Sequence, residues 1–157
     1  MKKEILNVVL FFFTTFVLLA VDQVTKVVIV NHMRPGESIP VIERIFHITY
    51  VRNPGGAFGI LAHRTEIFIV LAVLFIIIVL ALPVYFPGRN LKLTCALAIL
   101  TGGVMGNLVD RLRSGYVVDF LDFRVWPVFN AADIFIFTGT ALLFIFFIAK
   151  NKLKGVP

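Results

Sequence analysis

The sequence predicts an all-α membrane protein, four transmembrane helices with a small extracytoplasmic β element. Three observations predict it. Of the 157 residues, 59% are hydrophobic and the mean hydropathy is +0.97, whereas a soluble domain is about 45–50% apolar. Four apolar runs approach or exceed the roughly 20 residues needed to cross hydrocarbon. Two intervening segments are strand-patterned and bounded by turn residues.

The runs cover about 5–30, 68–86, 91–109 and 131–149, with outer segments at about 31–66 and 112–130, all in a single membrane domain spanning 1–157. The fourth run is short unless residues 130–133 form its first turn. The first run, preceded by Lys2 and Lys3, also fits a secretory signal. Its length and the poor small-residue pattern at Leu18 and Ala20 favour a retained helix.

Four spans put both termini on one side. The termini and the 87–92 turn carry Lys2, Lys3, Arg89, Lys92, Lys150, Lys152 and Lys154, with only Glu4 among acids. The raw Lys/Arg count is balanced by the longer opposite segments. Charge density favours a cytoplasmic N-terminus, because those basic loops are short. The net charge of +6 is dispersed along the chain, which argues against a nucleic-acid partner.

The 41–51 stretch is rich in β-branched and aromatic residues, and Phe46, Ile48 and Tyr50 alternate with His47, Thr49 and Val51. This predicts a half-buried strand, closed by a turn at Asn53-Pro54-Gly55-Gly56. Residues 116–125 alternate similarly and lead into Trp126-Pro127, where the Trp suits a membrane interface. These segments predict a small β element on the outer membrane surface.

Charges at or inside spans are costly and therefore informative. Asp22 and Lys26 lie four apart on one face of the first helix. They read equally as a snorkelling pair or as a polar post beneath a site. The run Asn53-Pro54-Gly55-Gly56-Ala57-Phe58-Gly59 is a turn followed by small residues, which let backbone approach a ligand. Gly102 and Gly106 form a close-packing pair, and Asn107, Asp110 and Arg111 share a helical flank near the outer interface. An Arg there is more often held by carboxylates than catalytic. Asp119 and Asp122 follow in the second outer segment, and Asn130 and Asp133 open the fourth helix. Taken singly, Asp133 could be a helix-start charge and Asp119 a solvated loop residue.

The histidines, His32, His47 and His63, lack HExxH spacing, and Ser38 and Ser114 lack a GxSxG context. No phosphate-binding glycine motif is present. Cys95 sits in an apolar run and reads as packing, since thiolate needs an electropositive setting. Carboxylates remain. Two acids held together share a proton, one serving as general base on water and the other as general acid.

At these residues the chain resembles lipoprotein signal peptidase, or signal peptidase II. The matching segments are Asp22-Gln-Val-Thr-Lys26, Asn53-Pro-Gly-Gly-Ala57-Phe58-Gly59, Gly106-Asn107-Leu-Val-Asp110-Arg111, and Val118-Asp119-Phe120 with Phe129-Asn130-Ala-Ala-Asp133. They cover essentially the whole chain. The resemblance implies Asp119 and Asp133 as a catalytic dyad, with Asn53, Gly55, Asn107, Arg111 and Asn130 lining or bracing the site and Asp22, Lys26 and Asp110 in support. It implies a prolipoprotein substrate cut on the N-terminal side of a diacylglyceryl-modified cysteine. It implies a site at the outer face of the bacterial inner membrane, contact with membrane lipid, inhibition by globomycin and no metal or other cofactor. Gly56 departs from the Ala or Ser usual after the family's Asn-x-Gly, which loosens the turn without removing a polar group. Presenilin-type and prepilin-type proteases are the nearest rivals, but no Gly directly precedes Asp110. A small proton-coupled transporter or lipid-binding membrane protein is the alternative outside the proteases. Against it stand the lack of a repeat and the grouping of acids at one interface.

Overall fold

Apolar runs of this length form helices because every backbone polar group must be satisfied within the segment when no water is available. In the computed structural model, which describes residues 2–56, 60–85 and 90–154, four helices follow that rule. They are α1 (Lys2–His32), α2 (Thr65–Tyr85), α3 (Leu91–Ser114) and α4 (Ala131–Lys154). All four are long and apolar enough to cross a membrane. Residues 57–59 of the small-residue run and 86–89 of the turn between the second and third spans, Arg89 included, lie outside the described residues.

The helices differ in what they face. The apolar window of α3 has the lowest hydropathy, 1.5, and is 67% buried, against 6–17% for the others. Thus α3 is the central post, packed on α1, α4 and α2. Its small residues permit the close approach. A Cβ at Gly102 would lie 2.9 Å from Leu18 of α1, and one at Gly103 would collide with the Ala132 carbonyl of α4. α1, α2 and α4 turn Phe13, Phe16, Ile77 and Phe144 outward, as lipid-facing surfaces do.

α3 has defined ends. The Asn90 side chain accepts the Leu93 N–H at 2.9 Å, and Gly115, at φ 78°, donates its N–H to the Arg111 carbonyl at 3.0 Å. Gly is favoured at that left-handed position because it has no Cβ to clash. The helix runs five residues past the predicted limit of 109, so Arg111 lies within it.

At one end of the bundle lies an antiparallel sheet of order β1-β2-β3, formed by β1 (Ser38–Ile42), β2 (Phe46–Asn53) and β3 (Val117–Asp122). The 41–51 stretch is therefore a hairpin, not one strand. It folds back at residues 43–45, where Arg44 adopts φ 64°. The alternation expected in 116–125 is also replaced: residues 117–120 are all buried. One face of β3 meets α1 through Val118 and Phe120, packed with Ile29, Met33 and Tyr50. The other face carries Asp119.

Candidate active site

Register brings the polar residues together. Val51 pairs with Asp119, and Asn53 pairs with Val117 two positions along, so Asn53 and Asp119 are diagonal neighbours on one face. Phe129 then lies against β3: its N–H donates to the Leu121 carbonyl at 3.1 Å, and its carbonyl accepts from Phe120 and Leu121. That pairing sets Asn130, the next residue, beside Asp119.

Asn130 links the two acids. It is fully buried, and its Nδ2 donates to Asp119 Oδ1 at 2.6 Å. Its Oδ1 accepts the Asp133 N–H at 3.0 Å, while its own N–H donates to Asp133 Oδ2 at 3.2 Å. This reciprocal pair is a capping box, with Asp133 in the third helical position of α4. Asp119 Oδ2 accepts Asn53 Nδ2 at 2.9 Å, and Asp133 Oδ1 accepts Asn107 Nδ2 at 2.8 Å.

Asp119 is 2% exposed and Asp133 half-buried. Burial, and after it the charge of Asp133, pushes the Asp119 carboxyl up to about 7. Both causes disfavour a second negative charge at the same place.

Arg111 positions Asn53 through backbone. Its guanidinium donates to the Gly55 carbonyl at 2.9 Å and lies 4.5 Å from the Phe68 ring centroid. The Gly55 N–H donates to Asn53 Oδ1 at 3.0 Å, which turns Asn53 Nδ2 toward Asp119. The charges of Asp133, Asp119 and Asp110 act on Arg111. Its described hydrogen bonds go to the Gly55 and Asn107 carbonyls.

Behind Asn107 lies a second buried cluster. Lys26 Nζ contacts Asp22 Oδ2 at 2.9 Å, Asp110 Oδ2 at 3.0 Å and Asn107 Oδ1 at 3.0 Å. Asp22 also accepts the Ala132 N–H at 2.9 Å, and Asp110 accepts the Val118 N–H at 3.0 Å. The cluster thus ties α1, α3, β3 and α4 at one point. Gln23 bridges Asp22 and Asp110 at 3.1 and 3.0 Å. Sequence reasoning passed over Gln23, although its place three residues before Lys26 puts it on the same helix flank.

Asp122 belongs elsewhere. Three residues from Asp119 on a strand, it faces the opposite side. Burial alone would raise its carboxyl, but hydrogen bonds from Thr49 and Arg124 outweigh burial and hold it below its ordinary value.

Asp119 and Asp133 line a cavity of about 1080 Å³ that Asn53, Asn107 and Arg111 share. The rest of its wall is largely apolar, including Trp126, Phe129, Ile136 and Phe137. A pocket of this kind, apolar with a few convergent polar groups, is built for a large apolar ligand carrying one polar reacting point.

Four apolar helices around a buried carboxylate site define a multi-pass membrane enzyme, and a solved structure agrees. A bacterial membrane enzyme determined by the in meso method matches 94% of this chain and 92% of its own, with TM-score 0.87 and 30% identity. The chain belongs to the signal peptidase II family, whose family model matches residues 14–149, and it is therefore a peptidase. The lipoprotein signal peptidase of Moorella thermoacetica is 50% identical over 133 residues, covering 85% of this chain and 89% of that protein. That of Pelotomaculum thermopropionicum is 52% identical over 129 residues, covering 81% and 84%.

Proposed function

We propose that this peptidase removes the signal peptide from prolipoproteins by cutting on the N-terminal side of a diacylglyceryl-modified cysteine, with Asp119 and Asp133 activating water. The observation that carries this reading is the linkage of both carboxyl groups through Asn130 at the wall of a large apolar cavity. Asp133, half-buried and accepting only N–H donors, acts as the carboxylate base. It takes a proton from water as the oxygen attacks the scissile carbonyl carbon. Asp119, which keeps its proton up to about pH 7, donates it to the carbonyl oxygen. Collapse of the tetrahedral intermediate breaks the C–N bond, and the proton held by Asp133 reaches the leaving amine. Asp119 recovers the hydroxyl proton as the new carboxyl group forms, so the pair ends with the single proton it began with.

The apolar wall takes the acyl chains, which gives the lipid its role in recognition. Burying acyl chains contributes about 0.8 kcal/mol per CH₂ relative to water, though far less relative to lipid. Specificity therefore comes from orienting the modified cysteine beside the dyad. The four-span order and the short basic loops support cytoplasmic termini and a site at the outer face of the inner membrane.

The test is mass-spectrometric mapping of products from two synthetic prolipoprotein peptides, one with a diacylglyceryl cysteine and one with free cysteine. The expected result is one cut before the modified cysteine and no turnover of the free-thiol peptide. Equal turnover of both, or a cut elsewhere, overturns the substrate reading.

A further inference from the structure

We propose that Lys26 is a positioning residue for the reaction: acting through the Asn107 amide, its ammonium sets the hydrogen-bond polarity around the two acids, so that Asp133 is the carboxylate and Asp119 carries the proton. This inference rests on the two-aspartate reading and deepens it.

The geometry leaves the polarity no freedom. Lys26 is 3% exposed. An ammonium has three N–H donors and no acceptor, and here all three are used, on Asp22, Asp110 and Asn107. Two partners neutralise charge. The third is a neutral amide, which adds nothing to charge balance but stands between Lys26 and Asp133. Because Lys26 can only donate, the end of Asn107 that meets it must be the oxygen. That same oxygen accepts Asn130 Nδ2 at 3.1 Å. The Asn107 NH₂ is therefore turned to Asp133 Oδ1.

Asn130 is oriented in the same sense. Its oxygen is held by the Asp133 N–H, so its NH₂ serves Asn107 and Asp119. The acids then differ in two ways. Asp133 lies in the first turn of α4, where the helix dipole favours negative charge, and its Asn107 donor is polarised by a cation at the other end of the amide. Asp119 lies outside any helix; the Lys26 charge reaches it through space, but its donors are two amides, Asn53 and Asn130, and neither has a described hydrogen bond to Lys26.

The charged and titratable groups facing the pair are Asp22 and Lys26 from α1, Asp110 and Arg111 from α3, and Arg52 of β2 on the cavity wall. Arg111 interacts with Asp133 and Asp119 through its charge but spends its described hydrogen bonds on carbonyls. Arg52 donates to the Tyr50 hydroxyl at 3.2 Å and stacks 5.0 Å from the Tyr116 centroid. Among the described residues, Lys26 is the cation joined to a dyad acid through one intervening side chain.

The test uses the charge-balanced pair Lys26→Met with Asp22→Asn in the full-length, detergent-solubilised enzyme. It removes one positive and one negative charge, and the amide oxygen left at position 22 still accepts the Ala132 N–H. Removing the ammonium frees Asn107 to turn its oxygen to Asp133, which replaces a donor to that carboxyl with an acceptor. The pH profile of kcat therefore departs from that of the wild type. At neutral pH kcat falls at least about tenfold, with KM within about twofold. Thr15→Val is the packing control: it removes the Thr15 hydrogen bond to the Ala98 carbonyl between α1 and α3 and should lower thermal stability without moving the pH profile. A second variant covers misfolding of the first. Asn107→Asp keeps an oxygen for Lys26 but loses the donor to Asp133, and its pH profile should depart from the wild type as well.

Infrared spectra give a readout apart from turnover. The protonated-carboxyl band that titrates near pH 7 should vanish in Asp119→Asn and persist in Asp133→Asn. A band that survives in Asp119→Asn and vanishes in Asp133→Asn overturns the assignment, as does a wild-type pH profile in either relay variant. If Asp119→Asn and Asp133→Asn both keep full turnover, the two-aspartate reading itself fails. If both are inactive while the relay variants keep the wild-type profile, only the role of Lys26 fails.

Discussion

Asn130 is the residue through which both acids are held, so Asn130→Ser against Asn130→Ala separates its two duties. Its side chain makes hydrogen bonds to Asp119 at 2.6 Å, to Asn107 at 3.1 Å and to the Asp133 N–H at 3.0 Å. Alanine loses all of these. Serine keeps the cap on α4, because its hydroxyl oxygen accepts that N–H nearly as well as an amide oxygen, but it is too short to reach Asp119. The cap contributes about 1 kcal/mol. The bonds to the acid and to the buried amide contribute about 1–3 kcal/mol each. Both variants therefore lose stability, and Ala falls about 1 kcal/mol below Ser. Activity should not distinguish them, because both leave the Asp119 carboxyl unanchored. A displacement of about 1 Å costs about 10²-fold in kcat, and that loss is expected in both. The assay pairs turnover of a fluorogenic lipid-modified peptide in micelles with thermal unfolding in the same detergent. Wild-type kcat in Asn130→Ser would refute the claim that this amide sets the geometry of the acids, and equal unfolding midpoints for Ser and Ala would refute the cap.

Asp119 gives a pH prediction. Its carboxyl is raised from 3.8 to about 7, so the folded state holds this proton more tightly than the unfolded chain. That stabilisation is complete below about 3.8 and is lost as pH rises through about 7. If Asp119 donates the proton, kcat falls as pH rises past about 7, by tenfold per unit well above it; a flat alkaline limb measured with the lipid-modified peptide would contradict this. Gly103→Ala tests the central post. Its Cβ would collide with the Ala132 carbonyl and come within 2.9 Å of Ile136, so α4 must shift, at about 1–3 kcal/mol. The unfolding midpoint should drop and activity with it, whereas an unchanged midpoint would contradict the packing.

The spans were legible because lipid demands long apolar runs, and the polar clusters because charge at a span end is expensive. Helical spacing alone gave the shared flank of Asn107, Asp110 and Arg111. Spacing within single segments could not give the partners, because register between segments decides them. Asn53 meets Asp119 through the antiparallel pairing of β2 with β3, and Asn130 meets it through the bridge at Phe129. The hairpin break at 43–45 was hidden because β-branched and aromatic residues flank it closely on both sides and no Gly, Pro or Asn marks the turn at Glu43-Arg44. β3 failed to alternate because it is covered on both faces. Gly102 and Gly106 were readable as a spaced pair, but Gly103 and Gly139 were not. Gly103 packs on α4, and Gly139 of α4 packs on Leu100 of α3; neither has a glycine partner at the spacing of Gly102 and Gly106, and the need for each depends on a neighbouring helix.

The most direct measurement is turnover of a diacylglyceryl-modified prolipoprotein peptide by Asp119→Asn and by Asp133→Asn, each checked for wild-type thermal behaviour in detergent. Both substitutions should lower kcat by about 10²–10⁴-fold while the protein stays folded. Wild-type turnover in either one would contradict a mechanism in which these two acids divide the work on a single water.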